Sequence, residues 1–212
     1  MTRDISEQTH QIRSVARELF MQYGLKSVSM DDIAARLGIS KKTLYRHFTD
    51  KEEMVAAVVR EIVDENRESC ESDFRQSKDA VHEMMLALLR IMDLLRTMNP
   101  SVLFDLSKYY PSAHKIYLQH RKDFLFHKIR SNLVRGMQEG LYRDDLEVDI
   151  LAFYRLESIM LPFHPEVQSL ASVPMSNIAT TVFTLFLRGI VTRKGERLID
   201  QYLPLTNNRN KS

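Results

Sequence analysis

The spacing of apolar residues along this chain is helical almost throughout. A first helix is predicted from Glu7 to Tyr23, where apolar side chains recur every three or four residues and form one stripe. That stripe consists of Ile12, Val15, Ala16, Leu19 and Phe20. Gly24 follows at the position where glycine commonly ends a helix. No segment alternates apolar and polar residues for long enough to predict a strand, so the pattern predicts an all-α fold.

The segment from Ser29 to Phe48 predicts two short helices joined by a tight turn. Gly38 follows the run MDDIAARL, and a glycine just past a helix end adopts the left-handed backbone conformation that residues with a Cβ resist. Ser29, with Asp32 three residues later, predicts a cap for the first helix, and Ser40 predicts one for the second. Residues 29–48 are therefore predicted to form a helix-turn-helix.

The same segment separates an inner face from an outer face. The residues predicted to face inward are Ile33, Ala34, Leu37, Ile39, Leu44 and Phe48. With Leu44 and Phe48 inside, the polar and cationic residues of the second helix must face solvent or a DNA duplex. An ordinary solvated helix surface is the alternative interpretation, but it gives no reason for an exposed tyrosine and threonine among the cations.

Further helices are predicted along the rest of the chain, with prolines close to most of their ends. The first of them begins at Asp50 and continues toward Phe74, which is long enough to extend past a small DNA-binding domain. The others span Asp79–Met98, Ser101–Tyr109, Ser112–Glu139, Val148–Leu161 and Met175–Arg193. Helices 148–161 and 175–193 are apolar on more than one face, which predicts packing against a second subunit; burial in a larger monomeric core is the alternative.

Composition narrows the class of protein. The 212 residues carry a net charge of only +2, so affinity for nucleic acid has to come from a local cationic patch. One cysteine, Cys70, excludes an intramolecular disulfide; it is either an incidental thiol or a redox sensor. The opening residues lack the apolar core of a signal peptide, and no apolar run exceeds six residues. We therefore expect a cytoplasmic protein that makes no membrane contact.

Catalytic and metal-binding signals are weak in this sequence. His120 and His127 are two helical turns apart, about 10 Å along the axis, which is too far for both to bind one metal ion. The sequence contains no H-E-x-x-H motif, no glycine-rich phosphate loop and no G-x-S-x-G motif. We predict no catalytic residues, no metal site and no cofactor.

The run VSMDDIAARLGISKKTLYRHF followed by DKEEM resembles the N-terminal domain of the TetR family of transcriptional regulators. The T-L-Y-x-H-F run with a lysine shortly after it is the most specific part of this resemblance. The resemblance implies an N-terminal three-helix DNA-binding domain at residues 6–66. It further implies a larger helical domain at residues 67–205, which binds a small effector and forms the homodimer, and release of DNA when the effector binds.

Position within the motif and side-chain chemistry together predict the contacts with double-stranded DNA. Lys42, Thr43 and Arg46 would enter the major groove, where an arginine can bond guanine O6 and N7 and a threonine methyl can pack on thymine. Backbone phosphates would be held by the helix that Ser29 caps, by Tyr45 and by His47. For His47, a hydrogen-bonded position inside the domain is the alternative. The complete predicted set is Ser29, Lys41, Lys42, Thr43, Tyr45, Arg46, His47 and Lys51, of which Lys51 resembles the family's phosphate-binding lysine.

The second half of the chain is rich in methionine and aromatic residues, a composition compatible with a pocket for an apolar or aromatic effector. The candidate ligand-binding residues are Met85, Met92, Phe104, Tyr109, Tyr117, Phe124 and Tyr154. Arg155, Glu157 and His164 are candidates for polar contacts. Ordinary core packing is the alternative for each of these residues.

These observations predict a sequence-specific transcriptional regulator. We expect a repressor that an effector releases from a palindromic operator, since repression requires only occupancy of the site. A DNA-bound architectural or segregation factor without an effector is the alternative. Neither the effector nor the operator follows from the sequence.

Overall fold

The computed structural model describes residues 2–171 and 173–208, and the side chains of residues 6–169 and 173–203. Within these residues the secondary structure is helical and contains no strand; one isolated bridge pairs Tyr142 with Val191. The prediction of an all-α fold is therefore confirmed. In chain order the helices are α1 (Thr2–Tyr23), α2 (Met30–Leu37), α3 (Lys41–Tyr45), α4 (Lys51–Gln76), α5 (Ala80–Thr97), α6 (Val102–Tyr109), α7 (Pro111–His120), α8 (Phe126–Gln138), α9 (Val148–Ser158), α10 (Pro165–Ala171), α11 (Met175–Ile190) and α12 (Arg193–Asn208).

The chain divides into two compact units. Unit 1 comprises residues 1–66 and 97–120, and unit 2 comprises residues 67–96 and 121–212. The sequence predicted a single division after residue 66, whereas residues 97–120 pack with the first unit. The reason is a set of hydrogen bonds to the end of α1 and the loop that follows it, in which Asn99 N donates to Met21 O at 2.6 Å and Lys26 N donates to Asp105 Oδ2 at 2.9 Å.

Unit 1 is built around a small core shared by α1 to α4. Ile12, Phe20, Ile33, Leu44 and Met54 are each no more than 1% exposed. Burial of apolar side chains at this level is what holds such short helices in place, since helices of five to eight residues are not stable alone. Of the six residues predicted to face inward, Ile33, Ala34, Leu44 and Phe48 are buried, whereas Leu37 and Ile39 are only half-buried.

Unit 2 has a larger core, to which α5, α8, α9, α11 and α12 contribute. Leu133, Leu187 and Ile199 are fully buried within it. At Gly136 a Cβ would meet the Tyr142 ring at 2.0 Å, so the absence of a side chain is what lets this ring pack against α8. The Tyr142 hydroxyl donates to Asn132 Oδ1 at 3.0 Å, and burial raises the pKa of this phenol well above its usual value.

Several helix limits differ from the prediction. The predicted helix 112–139 runs from Pro111 to Gln138 and includes a π-helical segment at Arg121–Leu125. The predicted helix 148–161 ends at Ser158, before a 3-10 turn at Leu161–Phe163. The predicted helix 175–193 ends at Ile190, and α10 and α12 were not predicted from the sequence. A new helix can begin here because Thr192 Oγ1 accepts from Gly195 N and caps the start of α12.

Candidate nucleic-acid interface

Local hydrogen bonds define the geometry of the helix-turn-helix. Ser29 and Asp32 form the predicted capping box, with Ser29 N donating to Asp32 Oδ2 at 2.8 Å and Asp32 N donating to Ser29 Oγ at 3.2 Å. These bonds from Ser29 lower the pKa of the Asp32 carboxyl. Gly38 ends α2 with φ of 66°, and its position has no neighbouring atom within 4 Å that a Cβ would meet. The glycine is therefore required by the backbone conformation of the turn and not by lack of space.

The helix α3 starts at a second cap and exposes one face. Ser40 Oγ accepts from Thr43 N at 3.1 Å and lies 2.9 Å from Thr43 Oγ1. Leu44, which belongs to α3, is fully buried, while Lys42, Tyr45 and Arg46 are exposed. A helix held by a buried leucine and flanked by an exposed arginine and lysine has the geometry that allows base edges and phosphates to be contacted in the major groove.

Two of the residues predicted to contact DNA form side-chain interactions within unit 1. Both ring nitrogens of the half-buried His47 are in hydrogen bonds to α1, Nδ1 with Thr9 Oγ1 at 2.8 Å and Nε2 with Gln8 Oε1 at 3.1 Å. This arrangement matches the alternative of a hydrogen-bonded position inside the domain, and a phosphate contact by His47 stays a prediction. Lys41 is exposed but forms an ion pair with Asp31, which competes with any phosphate for its charge.

Lys51 is half-buried at the start of α4 and points partly into unit 1. Its Nζ lies 3.4 Å from Lys26 O, 5.5 Å from the centre of the Tyr110 ring and 5.9 Å from that of Phe20. Burial lowers the pKa of this ammonium group, while Asp105 and Asp32 oppose that shift. Lys51 therefore has a packing role in unit 1, and the phosphate contact expected of it stays a prediction.

Lys26 and Lys108 were not singled out from the sequence. Their ammonium groups lie 5.1 Å and 5.4 Å from the centre of the Tyr109 ring, and their hydrogen bonds lower the pKa of the Tyr109 phenol. They add positive charge to unit 1 beyond the helix-turn-helix. The two lysines are 82 positions apart in the sequence, so no local pattern indicates that they meet.

Residues 12–58 match the family model described as bacterial regulatory proteins of the TetR family. The helix-turn-helix domain of this chain therefore belongs to the TetR family. An HTH-type transcriptional regulator of Staphylococcus aureus strain USA300 is 37% identical over 82 residues, which are 39% of this chain and 42% of the relative. The chain thus spans less than half the length of the curated relatives that it matches.

Solved structures of TetR-family and other transcriptional regulators share the fold over most of the chain. A TetR-family regulator from Agrobacterium tumefaciens has a TM-score of 0.74 at 15% identity, covering 89% of this chain and all of that one. A regulator from Saccharomonospora viridis in complex with choline has a TM-score of 0.71 at 22% identity, with coverage of 89% and 100%. FadR from Bacillus subtilis in complex with stearoyl-CoA has a TM-score of 0.67 at 19% identity, with coverage of 85% and 98%. At such identities the likeness shows the fold alone.

The predicted ligand-binding residues are divided between the two units. Phe104, Tyr109 and Tyr117 belong to unit 1, and Phe104 is 55% exposed. The remaining candidates, Met85, Met92, Phe124 and Tyr154, belong to unit 2. Composition could not distinguish these positions because an apolar side chain serves equally well in a core, on an exposed face or in a pocket.

The four candidates in unit 2 occupy different environments. Met85 and Met92 are buried in the main core, so ordinary core packing holds for them. Tyr154 is 50% exposed and stacks on Phe186 with a centroid distance of 6.1 Å. Phe124 is half-buried between the cationic groups of Arg67 and Lys128. None of the four lines the cleft described next, and a ligand-binding role for them stays a prediction.

A cleft in unit 2 has a different lining. It contains about 230 Å³ of space, including its open mouth, and lies between α5, α9, the 3-10 turn and α11. Its lining consists of Leu88, Ile91, Arg155, Ser158, Ile159, Pro162 and Ala179. Arg155, which the sequence suggested for a polar contact, is the one candidate that this cleft includes.

The described residues show little else that indicates reaction chemistry. Burial raises the pKa of the Cys70 thiol, which disfavours the reactive thiolate although Arg90 Nη2 lies 3.7 Å from Sγ. Within the described part of the chain, no three His, Cys, Asp or Glu residues are placed to hold a metal ion. No helix in that part is long and apolar enough to cross a membrane.

Proposed function

We propose that this protein is a transcriptional regulator that binds operator DNA as a homodimer and is released by a small molecule. The observation that carries the proposal is the doubly capped helix-turn-helix with Lys42, Tyr45 and Arg46 exposed on α3. Its match to the TetR family supports DNA binding by this domain. In this proposal Lys42, Thr43 and Arg46 enter the major groove, where Arg46 and Thr43 read bases. Tyr45, Lys51 and the helix capped by Ser29 hold phosphates.

An exposed apolar surface on α9 and α11 supports a homodimer. Ile150, Phe153 and Leu185 are 68%, 59% and 70% exposed, far more than is usual for large apolar side chains on adjacent helices. We propose that this surface packs against its copy as a four-helix bundle. Two copies then present two α3 helices to half-sites about 34–36 Å apart, or a multiple of that distance, along a palindromic operator.

Small-molecule control is supported by the cleft of unit 2 and by the ligands of relatives with this fold. The choline and stearoyl-CoA named in two of those structures differ so much in charge and size that neither is carried over to this chain. An effector has to favour the DNA-free arrangement by about 1–3 kcal/mol to give a useful response. Repression is the outcome we propose, because occupancy of a promoter is enough to block it.

Selection of bound duplexes from a random pool, with the full chain, tests this proposal. We expect enrichment of an inverted repeat whose half-sites are separated by about one helical turn or a multiple of it. A variant with Arg46→Ala should fail to enrich one base pair in each half-site. Absence of any enriched sequence would contradict the proposal, and an enriched site without two-fold symmetry would contradict the dimer.

A further inference from the structure

Arg155 is a buried cation for which the described part of the chain supplies no acidic partner. Arg155 is 5% exposed. Its guanidinium carbon lies 5.0 Å from the ring centre of Phe183 and 5.9 Å from that of Phe186. The pKa of Arg155 is lowered to about 10, first of all by burial, and no carboxylate contributes to this value. Buried arginines are normally paired with an acid, because an isolated charge in an apolar environment is costly.

The hydrogen bonds of Arg155 are also incomplete. A guanidinium has five N–H donors, and the described residues provide it with one hydrogen bond, from Nη1 to Ser158 Oγ at 3.2 Å. The neighbouring acid Glu157 is engaged elsewhere, accepting from Arg121 Nη2 at 2.9 Å. The two phenylalanine faces stabilise the positive charge but accept no directed hydrogen bond in the plane of the guanidinium.

The location of Arg155 indicates which kind of ligand its remaining N–H groups bind. Arg155 lines the cleft of unit 2 beside Ser158, and the other lining residues are the apolar Leu88, Ile91, Ile159, Pro162 and Ala179. A site with a mostly apolar wall and one fixed polar group is typical of small-molecule binding. A planar guanidinium with free donors matches the two oxygens of a carboxylate, which it binds with two parallel hydrogen bonds.

We propose that this cleft binds a small organic anion, a carboxylic acid with an apolar body, whose carboxylate pairs with Arg155. Ser158 Oγ donates to Arg155 O at 2.8 Å and accepts from Arg155 Nη1, so its role is to orient the guanidinium. The apolar body lies against Leu88, Ile91 and Ile159. The volume of about 230 Å³ includes solvent at the open mouth, and the enclosed space is about that of one water molecule, so α5 and α11 have to separate for the apolar body to enter. This inference rests on the proposed function, since it names the chemical class of the effector.

Calorimetric melting of the full chain with small probes tests the inference. The probes are hexanoate and benzoate, the corresponding alcohols hexanol and benzyl alcohol, hexyl phosphate, and choline as a cation of similar size. We expect the two acids to raise the melting temperature by a few degrees at saturating concentration, because they bind the folded state. The alcohols and choline should leave it unchanged, and hexyl phosphate separates an acid site from a general anion site.

Arg155→Met should abolish the stabilisation by the acids, with at least about a tenfold loss of affinity, while the flexible thioether fills the same apolar space. Arg188→Met is the matched control: Arg188 lies on α11, is paired with Glu196 and Asp200, and does not line the cleft. The control should keep the full response to acids. If Arg155→Met does not fold, the comparison of acids with alcohols on the parent protein still decides the matter.

Equal stabilisation by acids and alcohols, a full response in Arg155→Met, or no response to any acid would overturn the inference. Titration of the selected operator DNA with the protein, with and without benzoate, separates the proposed regulatory function from the proposed acid ligand. Operator binding with no acid response contradicts only the ligand, whereas acid binding without DNA release contradicts only the regulatory coupling.

Discussion

The residues proposed to contact DNA all lie between Ser29 and Lys51, whereas those lining the cleft of unit 2 come from positions between Leu88 and Ala179. The first set is arranged by local rules: a capping box, a left-handed glycine and a serine cap each act within four residues. The second set is assembled by the packing of α5, α9 and α11. The comparison teaches that a site made of adjacent residues can be recognised from one sequence, while a site made of distant residues needs the fold.

The largest effect that tests this comparison is expected from Leu44→Ala in unit 1. Leu44 is fully buried, so its truncation should lower the free energy of unfolding by about 2–5 kcal/mol and remove operator binding with it. Leu133→Ala is the matched change in unit 2, where the side chain is also fully buried. Urea unfolding followed by circular dichroism, together with operator titration, measures both.

We expect Leu133→Ala to be similarly destabilised but to bind operator wherever it remains folded. The outcome that would break the comparison is loss of operator binding in folded Leu133→Ala as complete as in Leu44→Ala. It would mean that unit 2 determines the shape of the DNA-binding surface directly.

The next effect concerns Arg46 and Lys51, two residues that are proposed to contact DNA. Arg46→Ala should weaken operator binding by about 1–3 kcal/mol and relax the preference at one base pair per half-site. Lys51→Met should weaken binding to all sequences alike and reduce the salt dependence by about one unit, because it removes one phosphate contact. Titrations of single-base operator variants at several salt concentrations measure both. An equal change of base preference in the two variants would contradict these roles.

A smaller effect is expected from Gly189→Ala on α11. The position has open space in one subunit, so alanine should stabilise the helix by about 1 kcal/mol, as it normally does relative to glycine. The same methyl group should weaken the dimer if α11 approaches its copy closely at this point. Sedimentation equilibrium measures association, and thermal melting at low concentration measures the subunit.

Gly136→Ala is the control with the opposite expectation. Its Cβ would meet the Tyr142 ring inside a single subunit, which should cost about 1–3 kcal/mol of stability. If Gly189→Ala dimerises as tightly as the parent protein, the hypothesis that α11 approaches its copy closely at Gly189 is wrong.

The last effect, which is seen only above about pH 10, is a pH dependence in unit 2. The Tyr202 hydroxyl donates to Asp79 Oδ2 at 2.8 Å, and burial together with this hydrogen bond raises the pKa of Tyr202 to about 12. Because the folded pKa lies above the ordinary value of about 10, the stabilisation is complete below pH 10 and is lost as the pH rises toward 12. The free energy of unfolding should therefore fall more steeply over this range in the parent protein than in Tyr202→Phe. Parallel curves would contradict the assignment, and Tyr45→Phe at an exposed ring serves as the control.

Features that depend on neighbouring residues could be predicted from the amino-acid sequence. The all-α class, the capping box at Ser29, the turn at Gly38 and the burial of Leu44 were all predicted and are present in the structure. Each results from a backbone conformation or a helical period, and both are encoded within a few residues. The start of α12 at Thr192 is also a local cap, although the apolar run before it concealed the end of α11.

Only the tertiary structure decided the features that depend on residues far apart in the chain. It assigned residues 97–120 to unit 1 through bonds such as that from Lys26 N to Asp105, and it turned His47 toward Gln8 and Thr9. It also placed Arg155 beside Leu88 and Ala179 without an acid. The physical reason is that burial and charge pairing are properties of a three-dimensional neighbourhood, so the same arginine or histidine in a helical pattern is compatible with an exposed, a paired or a ligand-binding position.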